Sequence, residues 1–207
     1  FADWRDRRLK QVSPSTVRRE MNLIAAVMSV ARDEWGVFPV SPLKGVKAPK
    51  SAPPRDRLVT DEEIARLWGA SRSPMEREAV RAFECACATG MRAGELLSAV
   101  RSGRIAHVAI TKNGESRDVP LSEQGAELFG DGFSLTPSQL ESTFRRIRKR
   151  AQIHNLTFHD SRHRAVTDMA KKLDPLALAR VVGHKDLRQL MTYLDEAPES
   201  LAQRLDG

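Results

Sequence analysis

The chain has 207 residues, of which 41% are hydrophobic, and its 34 lysines and arginines outnumber its 27 acidic residues to give a formal charge of +7. This apolar fraction excludes wholesale disorder, and no apolar run is long enough to span a membrane. The basic balance favours a polyanionic partner, although many proteins without a nucleic-acid role carry a similar charge.

The N-terminal 38 residues are predicted to be helical. Ser13-Pro14 is typical of a helix start, and apolar residues then recur at helical spacing on one face: Val17, Met21, Ile24, Ala25, Met28 and Ala31. Gly36 is expected to end this helix. Two helices bury too little surface to be stable alone, and the chain opens at Phe1 rather than Met. We therefore expect a fragment of a longer protein, in which residues 1–45 end a small helical domain.

A proline-rich, basic stretch follows. Residues 39–59 contain five prolines and five basic side chains against one acidic side chain. Such a stiff cationic segment can lie along DNA, or it can be a solvated linker that contacts nothing. We predict that residues 46–59 form a basic linker and that three lysines here contact DNA: Lys44, Lys47 and Lys50.

Helical and strand signals alternate in the middle of the chain. A capping box at Thr60 predicts one helix, and a second is expected from about Met75 to Ala88, with Cys85 and Cys87 as small core residues. These cysteines are too close for an ordinary disulfide, so a reducing intracellular setting is expected. Residues 104–121 alternate around Asn113-Gly114, which predicts two strands joined by a tight turn.

The last third is predicted to be helical again. A capping signal at Thr136 begins a helix whose inner stripe is Leu140, Phe144, Ile147 and Ala151. Its other faces are basic, which usually indicates a solvated surface; we predict DNA contacts at Arg145, Arg146 and Lys149. Further helices are expected at about 161–172, 175–182 and 186–195. The predicted fold class is therefore mainly α with a small antiparallel β-hairpin or sheet.

Several kinds of site are missing from the sequence. It has no glycine-rich nucleotide cradle and no nucleophile elbow around a serine. His159 and His163 have a spacing that can hold zinc on a helix, but no recognisable pattern supplies the other ligands. No metal site is therefore predicted.

Five polar motifs remain, and their order is informative. They are Thr89-Gly90-Met91-Arg92-Ala93-Gly94-Glu95-Leu96, Lys112 in the hairpin, His159-Asp160-Ser161-Arg162, Gly183-His184, and Tyr193, which is the only tyrosine. This series resembles the catalytic domain of the tyrosine recombinases, the phage integrase family. The resemblance covers residues 60–207, and residues 1–45 look like the end of that family's core-binding domain.

The resemblance implies a catalytic set that needs neither metal nor ATP. In that set Tyr193 attacks a phosphodiester held by Arg92 and Arg162, and Lys112 protonates the leaving 5′-oxygen. His159 and His184 would accept the proton or bind the phosphate, and their separate roles stay open. Glu95 would orient an arginine, unless it is only a carboxylate on a helix surface.

The resemblance also implies partners and a reaction. Site-specific recombination would proceed through a 3′-phosphotyrosyl link on double-stranded DNA, in a homotetramer, with accessory factors that bend DNA or set direction. A bacterial or phage-infected cytoplasm is the expected location. The alternatives are a type IB topoisomerase, a DNA-binding protein without turnover, and a helical protein with a coincidental pattern. The stretch from Gly94 to Lys112 is short for the family's three strands, so one strand is expected to be lost or trimmed.

Overall fold

The structure is a computed structural model that describes residues 1–51, 53, 55–109 and 116–183. The chain divides into two compact units, Phe1–Arg55 and a second unit that begins at Asp56. This division falls inside the segment predicted as a linker, and the domain assignments themselves stay predictions. Among the described residues, no helix is both long enough and apolar enough to cross a bilayer.

The first unit consists of two helices, α1 (Ala2–Leu9) and α2 (Pro14–Asp33). Ser13 caps α2 by accepting a hydrogen bond from the backbone N–H of Thr16, as the Ser-Pro signal predicts. The predicted apolar face is buried only in part: α1 covers a narrow stripe of α2, and Ala25 is exposed. The helix ends at Asp33, and Gly36, which was expected to end it, follows in the left-handed conformation with φ of 62°.

In the second unit, the helix α4 lies at the centre of the fold and packs against five other helices. Three of the unit's helices begin after a capping residue: Thr60, Ser73 or Thr136. Each of these side chains accepts a hydrogen bond from the backbone N–H three residues later in the chain, which confirms the predicted capping boxes at Thr60 and Thr136. The helices are α3 (Asp61–Ala70), α4 (Pro74–Thr89), α5 (Ala93–Ser98), α6 (Glu123–Phe129), α7 (Pro137–Arg150), α8 (Asp160–Ala170) and α9 (Pro175–Val182).

The described part of the second unit contains three antiparallel strands, where the sequence predicted two. They pair in the order β1 (Val100–Ser102), β2 (Ile105–Val108) and β3 (Arg117–Pro120). No strand is therefore lost, and β1 has only three residues. All of β1 is exposed, so it lacks the alternation of buried and exposed residues that predicts a strand. The predicted Asn113-Gly114 turn lies outside the described residues.

The core of the second unit contains a cluster of three phenylalanines. The ring of Phe83 lies 4.6 Å from that of Phe144 and 5.5 Å from that of Phe158, measured between centroids. Such tilted and edge-to-face pairs are favoured geometries for aromatic rings. A smaller apolar cluster joins α8 to α9 through Val166, Leu178 and Val182. The core therefore fixes α4, α7 and α8, and α8 in turn fixes α9.

A buried carboxylate ties α4 to α7. Glu76 accepts hydrogen bonds from the backbone N–H of Arg72 at 2.7 Å, from Arg150 Nη1 at 2.8 Å and from Arg146 Nε at 3.2 Å. The bonds from Arg150 and from the Arg72 backbone outweigh the effect of burial and lower the pKa of Glu76 to about 2. Part of the basic face of α7 thus points inward to a structural partner.

Candidate active site

The Thr89–Leu96 motif forms the turn between α4 and α5. Gly90 ends α4 in the left-handed conformation, with φ of 67°, which glycine adopts without strain. The turn places Arg92 at the cap of α5, where its side chain is 38% exposed. Arg92 is therefore held by a defined backbone and still reaches solvent.

Glu95 holds Arg92 by two hydrogen bonds. Its carboxylate accepts from the backbone N–H of Arg92 at 2.9 Å and from Arg92 Nη1 at 2.8 Å. A third bond, at 2.8 Å, comes from Nη2 of Arg117. Burial alone would raise the pKa of Glu95, but these bonds outweigh it and keep the pKa below its usual range. Glu95 is thus a buried, ionised carboxylate shared by two arginines.

Arg162 is the second arginine of the predicted set, and it is buried on α8. Its Nη1 donates to the carbonyl of Gly90 and its Nη2 to the carbonyl of Val182, each at 2.6 Å. Arg162 therefore joins the turn that carries Arg92 to the C-terminal end of α9. The sequence motifs around Gly90 and Arg162 meet in the folded chain.

His159 is exposed and lies at the start of α8, three residues before Arg162. Its ring meets that of His163 almost at a right angle, with centroids 6.0 Å apart. Partial burial of the imidazole, together with the charges of His163, Arg162 and Arg92, lowers the pKa of His159, against a smaller opposing effect of Asp160. The bond from Arg162 to the carbonyl of Gly90 joins this helix start to the turn that carries Arg92.

Three of the six predicted catalytic residues thus share one neighbourhood: Arg92, His159 and Arg162. The other three, Lys112, His184 and Tyr193, lie outside the described residues. Within the described ranges, no group of three metal-ligating side chains comes together.

The predicted DNA contacts differ in their surroundings. Lys44, Lys47 and Lys50 are exposed in the first unit, and Lys149 is exposed on α7. Arg145 is exposed beside Glu141, at 3.5 Å. Arg146 pairs with the buried Glu76, yet 58% of its side chain stays exposed.

Sequence reasoning missed the role of Arg117. The motif Arg117-Asp118-Val119-Pro120 stands out as polar, but nothing in its spacing shows that Arg117 contacts Glu95. Only the pairing of β3 with β2, and the packing of β3 beside α9, bring that side chain to the site.

The chain is similar in sequence to several known proteins. Residues 131–200 match the model of the phage integrase family. The chain is 33% identical to a putative integrase/recombinase of Haemophilus influenzae, over 99% of this chain and 74% of that protein. It is also 33% identical to the shufflon-specific DNA recombinase of Escherichia coli, over 100% of this chain and 60% of that protein.

The chain is also similar in fold to a solved structure. The chain superposes on lambda integrase, solved as a dimer bound to a COC′ core site, with a TM-score of 0.77 at 18% identity, over 95% of this chain and 79% of that one. The fold is therefore that of an integrase. With the identity to the Haemophilus influenzae protein, it follows that the chain belongs to the phage integrase family, the tyrosine-type site-specific recombinases and integrases. The chain spans about three quarters of the length of one curated relative and about three fifths of the other.

Proposed function

We propose that the chain cleaves and rejoins DNA strands through a 3′-phosphotyrosyl intermediate on Tyr193. The observation that carries this proposal is the bond from buried Arg162 to the carbonyl of Gly90, which joins the helix start of His159 and Arg162 to the turn that carries Arg92. Residues so far apart in the sequence have no local reason to gather. Two guanidiniums can bind a phosphodiester, and an imidazole can accept the proton of the attacking group.

The two arginines suit a phosphate in its transition state. In-line attack builds negative charge on the non-bridging oxygens, and a guanidinium binds such oxygens through parallel N–H donors without losing its own charge. Arg162 carries five donors, so it can bind backbone carbonyls and a phosphate oxygen together. Glu95 keeps Arg92 in place during the reaction.

The proton and bond changes balance as follows. Tyr193 loses its phenolic proton to His159 as its oxygen attacks phosphorus, and the bond to the 5′-oxygen breaks with a proton supplied by Lys112. The lowered pKa of His159 favours the neutral imidazole, which is the form that accepts a proton. His184 donates a hydrogen bond to the phosphate. Attack by a second 5′-hydroxyl reverses these changes and rejoins the strands.

The wider assembly is part of the same proposal. Residues 1–45 and residues 60–207 would each bind double-stranded DNA, with residues 46–59 as a basic linker. The exposed lysines at positions 44, 47, 50 and 149, with Arg145 and Arg146, would bind phosphates. Binding should then weaken steeply with added salt, because phosphate contacts release counterions. The working form would be a homotetramer on two DNA sites in a bacterial or phage-infected cytoplasm, with accessory bending or directionality factors.

Covalent trapping tests the chemistry. The chain is incubated with nicked duplexes of randomised sequence in the presence of a chelator. When such a duplex is cleaved near its nick, the short end that is needed for rejoining is lost, so the covalent adduct persists. We expect a denaturation-resistant adduct from the unsubstituted chain and none from Tyr193→Phe. Arg92→Lys should lower the adduct rate by about 100- to 1,000-fold, the usual effect of losing one transition-state donor. Arg101→Lys, on the exposed strand β1, is the matched control.

The outcomes separate the alternatives. An adduct from Tyr193→Phe would overturn the assignment of the nucleophile. An adduct that forms only without chelator would overturn the metal-free reaction. No adduct from the unsubstituted chain, with salt-sensitive DNA binding intact, would leave a DNA-binding protein without turnover.

A further inference from the structure

Arg117, the first residue of β3, connects two parts of the candidate site. Only 13% of its side chain is exposed. Its Nη2 donates to Glu95 at 2.8 Å, and its Nη1 donates to the carbonyl of Val181. One side chain therefore contacts both the carboxylate that holds Arg92 and the C-terminal end of α9.

The contact with Glu95 decides the local charge. Glu95 and Arg92 alone would form a neutral pair, and a neutral pair attracts a phosphate only weakly. The guanidinium of Arg117 supplies a second positive charge to the same buried carboxylate. The cluster of Arg92, Glu95 and Arg117 therefore keeps a net charge of about +1, because arginine stays protonated at working pH. Arg92 can then attract an anion while it remains paired.

The contact with α9 positions the chain just before His184. Arg117 and Arg162 bond to the carbonyls of successive residues, Val181 and Val182, at the end of α9 where the helix dipole favours cations. Gly183 follows with φ of 67°, and a Cβ there would lie 3.0 Å from Nε of Arg117. The guanidinium thus packs against the backbone that leads into the predicted catalytic histidine.

We propose that Arg117 is a positioning residue for strand cleavage. It sets the orientation and net charge of Arg92 through Glu95, and it fixes the end of α9 from which His184 follows. This inference rests on the proposed function of the site. It adds an arginine that does not itself bind the scissile phosphate.

Two substitutions separate the charge of Arg117 from its geometry. Arg117→Lys keeps the charge and loses the paired donors, whereas Arg117→Met loses both. The unsubstituted chain first selects one reactive duplex from the pool of randomised nicked duplexes. For each variant we then measure the rate of adduct formation on this duplex, the DNA affinity and the midpoint of urea unfolding. We expect a rate loss of about 10- to 100-fold for Arg117→Lys, as for other small misplacements of reacting groups, and a larger loss for Arg117→Met. DNA affinity should change little.

Arg81→Lys is the matched control for lost stability. Arg81 on α4 binds the carbonyls of Leu128, Phe129 and Gly132, so it is also a part-buried arginine held by backbone. We expect Arg81→Lys to lower the urea midpoint and leave the adduct rate unchanged. If the adduct rates of Arg117→Lys and Arg81→Lys fall equally for an equal loss of midpoint, the positioning role is refuted.

A double-mutant cycle with Arg92→Lys tests whether Arg117 acts through Arg92. If it does, the double variant should react about as slowly as Arg92→Lys alone, because residues that act as a unit are not additive. Fully multiplied rate losses would overturn the role of Arg117 in orienting Arg92. A residue that only stabilises the fold would give such independent effects.

A titration with inorganic phosphate keeps the two proposals distinguishable. Phosphate is added to each variant while the His159 imidazole signal is followed by NMR. We expect Arg117→Met to bind phosphate more weakly than Arg81→Lys. If the unsubstituted chain forms no adduct, the proposed function fails, and this titration still decides the role of Arg117: equal phosphate affinity in both variants overturns it.

Discussion

Replacement of Glu76 by glutamine should destabilise the second unit at neutral pH and have little effect in strong acid. The carboxylate is 4% exposed and receives its bonds from Arg72, Arg146 and Arg150. In glutamine, one carboxylate oxygen is replaced by an amide group that is itself a donor. That group faces the guanidinium donors on α7, so at least one strong hydrogen bond is lost and none replaces it.

The magnitude follows from the pKa of Glu76. It falls from 4.5 to about 2, and since one pH unit corresponds to about 1.4 kcal/mol, the ionised form is favoured in the folded state by at most about 3 kcal/mol. Solvent screens the contribution of Arg146, which is 58% exposed, so we expect a loss of about 2 kcal/mol in the free energy of unfolding.

The sign of the pH dependence also follows. A carboxyl group with a lowered folded pKa stabilises fully above its unfolded value, here 4.5, and this contribution disappears as the pH falls toward 2. The difference between Glu76→Gln and the unsubstituted chain should therefore shrink over that window. Urea unfolding followed by the fluorescence of Trp68, with Trp4 and Trp35 replaced by phenylalanine, reports on the second unit alone.

Glu141→Gln is the control for this experiment. Glu141 lies on α7 and pairs with Arg145 at 3.5 Å, but both side chains are at least 60% exposed, so the substitution should cost less than about 1 kcal/mol. Equal costs for Glu76→Gln and Glu141→Gln would refute the reasoning. A cost for Glu76→Gln that stays constant from neutral pH to pH 2 would refute it as well.

Three further predictions concern single residues. The cleavage rate should fall as the pH drops through a midpoint below 6.5, because protonated His159 cannot accept a proton; NMR titration of His159 checks this, and a midpoint above 6.5 contradicts it. Gly183→Ala should cost about 1–2 kcal/mol, since φ is positive and Arg117 must move, whereas Gly69→Ala inside α3 should be neutral or stabilising; urea midpoints compare the two. Burial raises the pKa of Cys85 to about 12, so this thiol should react with a disulfide reagent at pH 8 only after unfolding.

The helices could be predicted from the sequence because their signals are local. The capping boxes at Thr60 and Thr136 lie beside the residues that they cap, and the inner stripe of α7 recurs at helical spacing. The strand β1 could not be predicted in this way. It is three residues long and exposed, and it pairs with β2 through backbone groups that any sequence supplies.

The same distinction applies to the site. Glu95 and Arg92 are three residues apart at a helix start, so their contact follows from spacing alone. Arg117 meets Glu95 only because β3 packs beside α9 while its partner strand β2 packs beside α5, and no short motif encodes that neighbourhood. The inward turn of Arg146 toward Glu76 is equally invisible in the charge pattern of α7, because it depends on where α4 packs.

The bonds that assemble the site have a consequence for the order of folding. They join residues 72 positions apart between Gly90 and Arg162, and 64 apart between Arg117 and Val181. Bonds of this kind close large loops, and their entropic cost delays them until most of the chain is ordered. A refolding chain should therefore regain its helical circular dichroism before it regains phosphate binding. Phosphate binding would then measure the fraction of molecules that have folded completely.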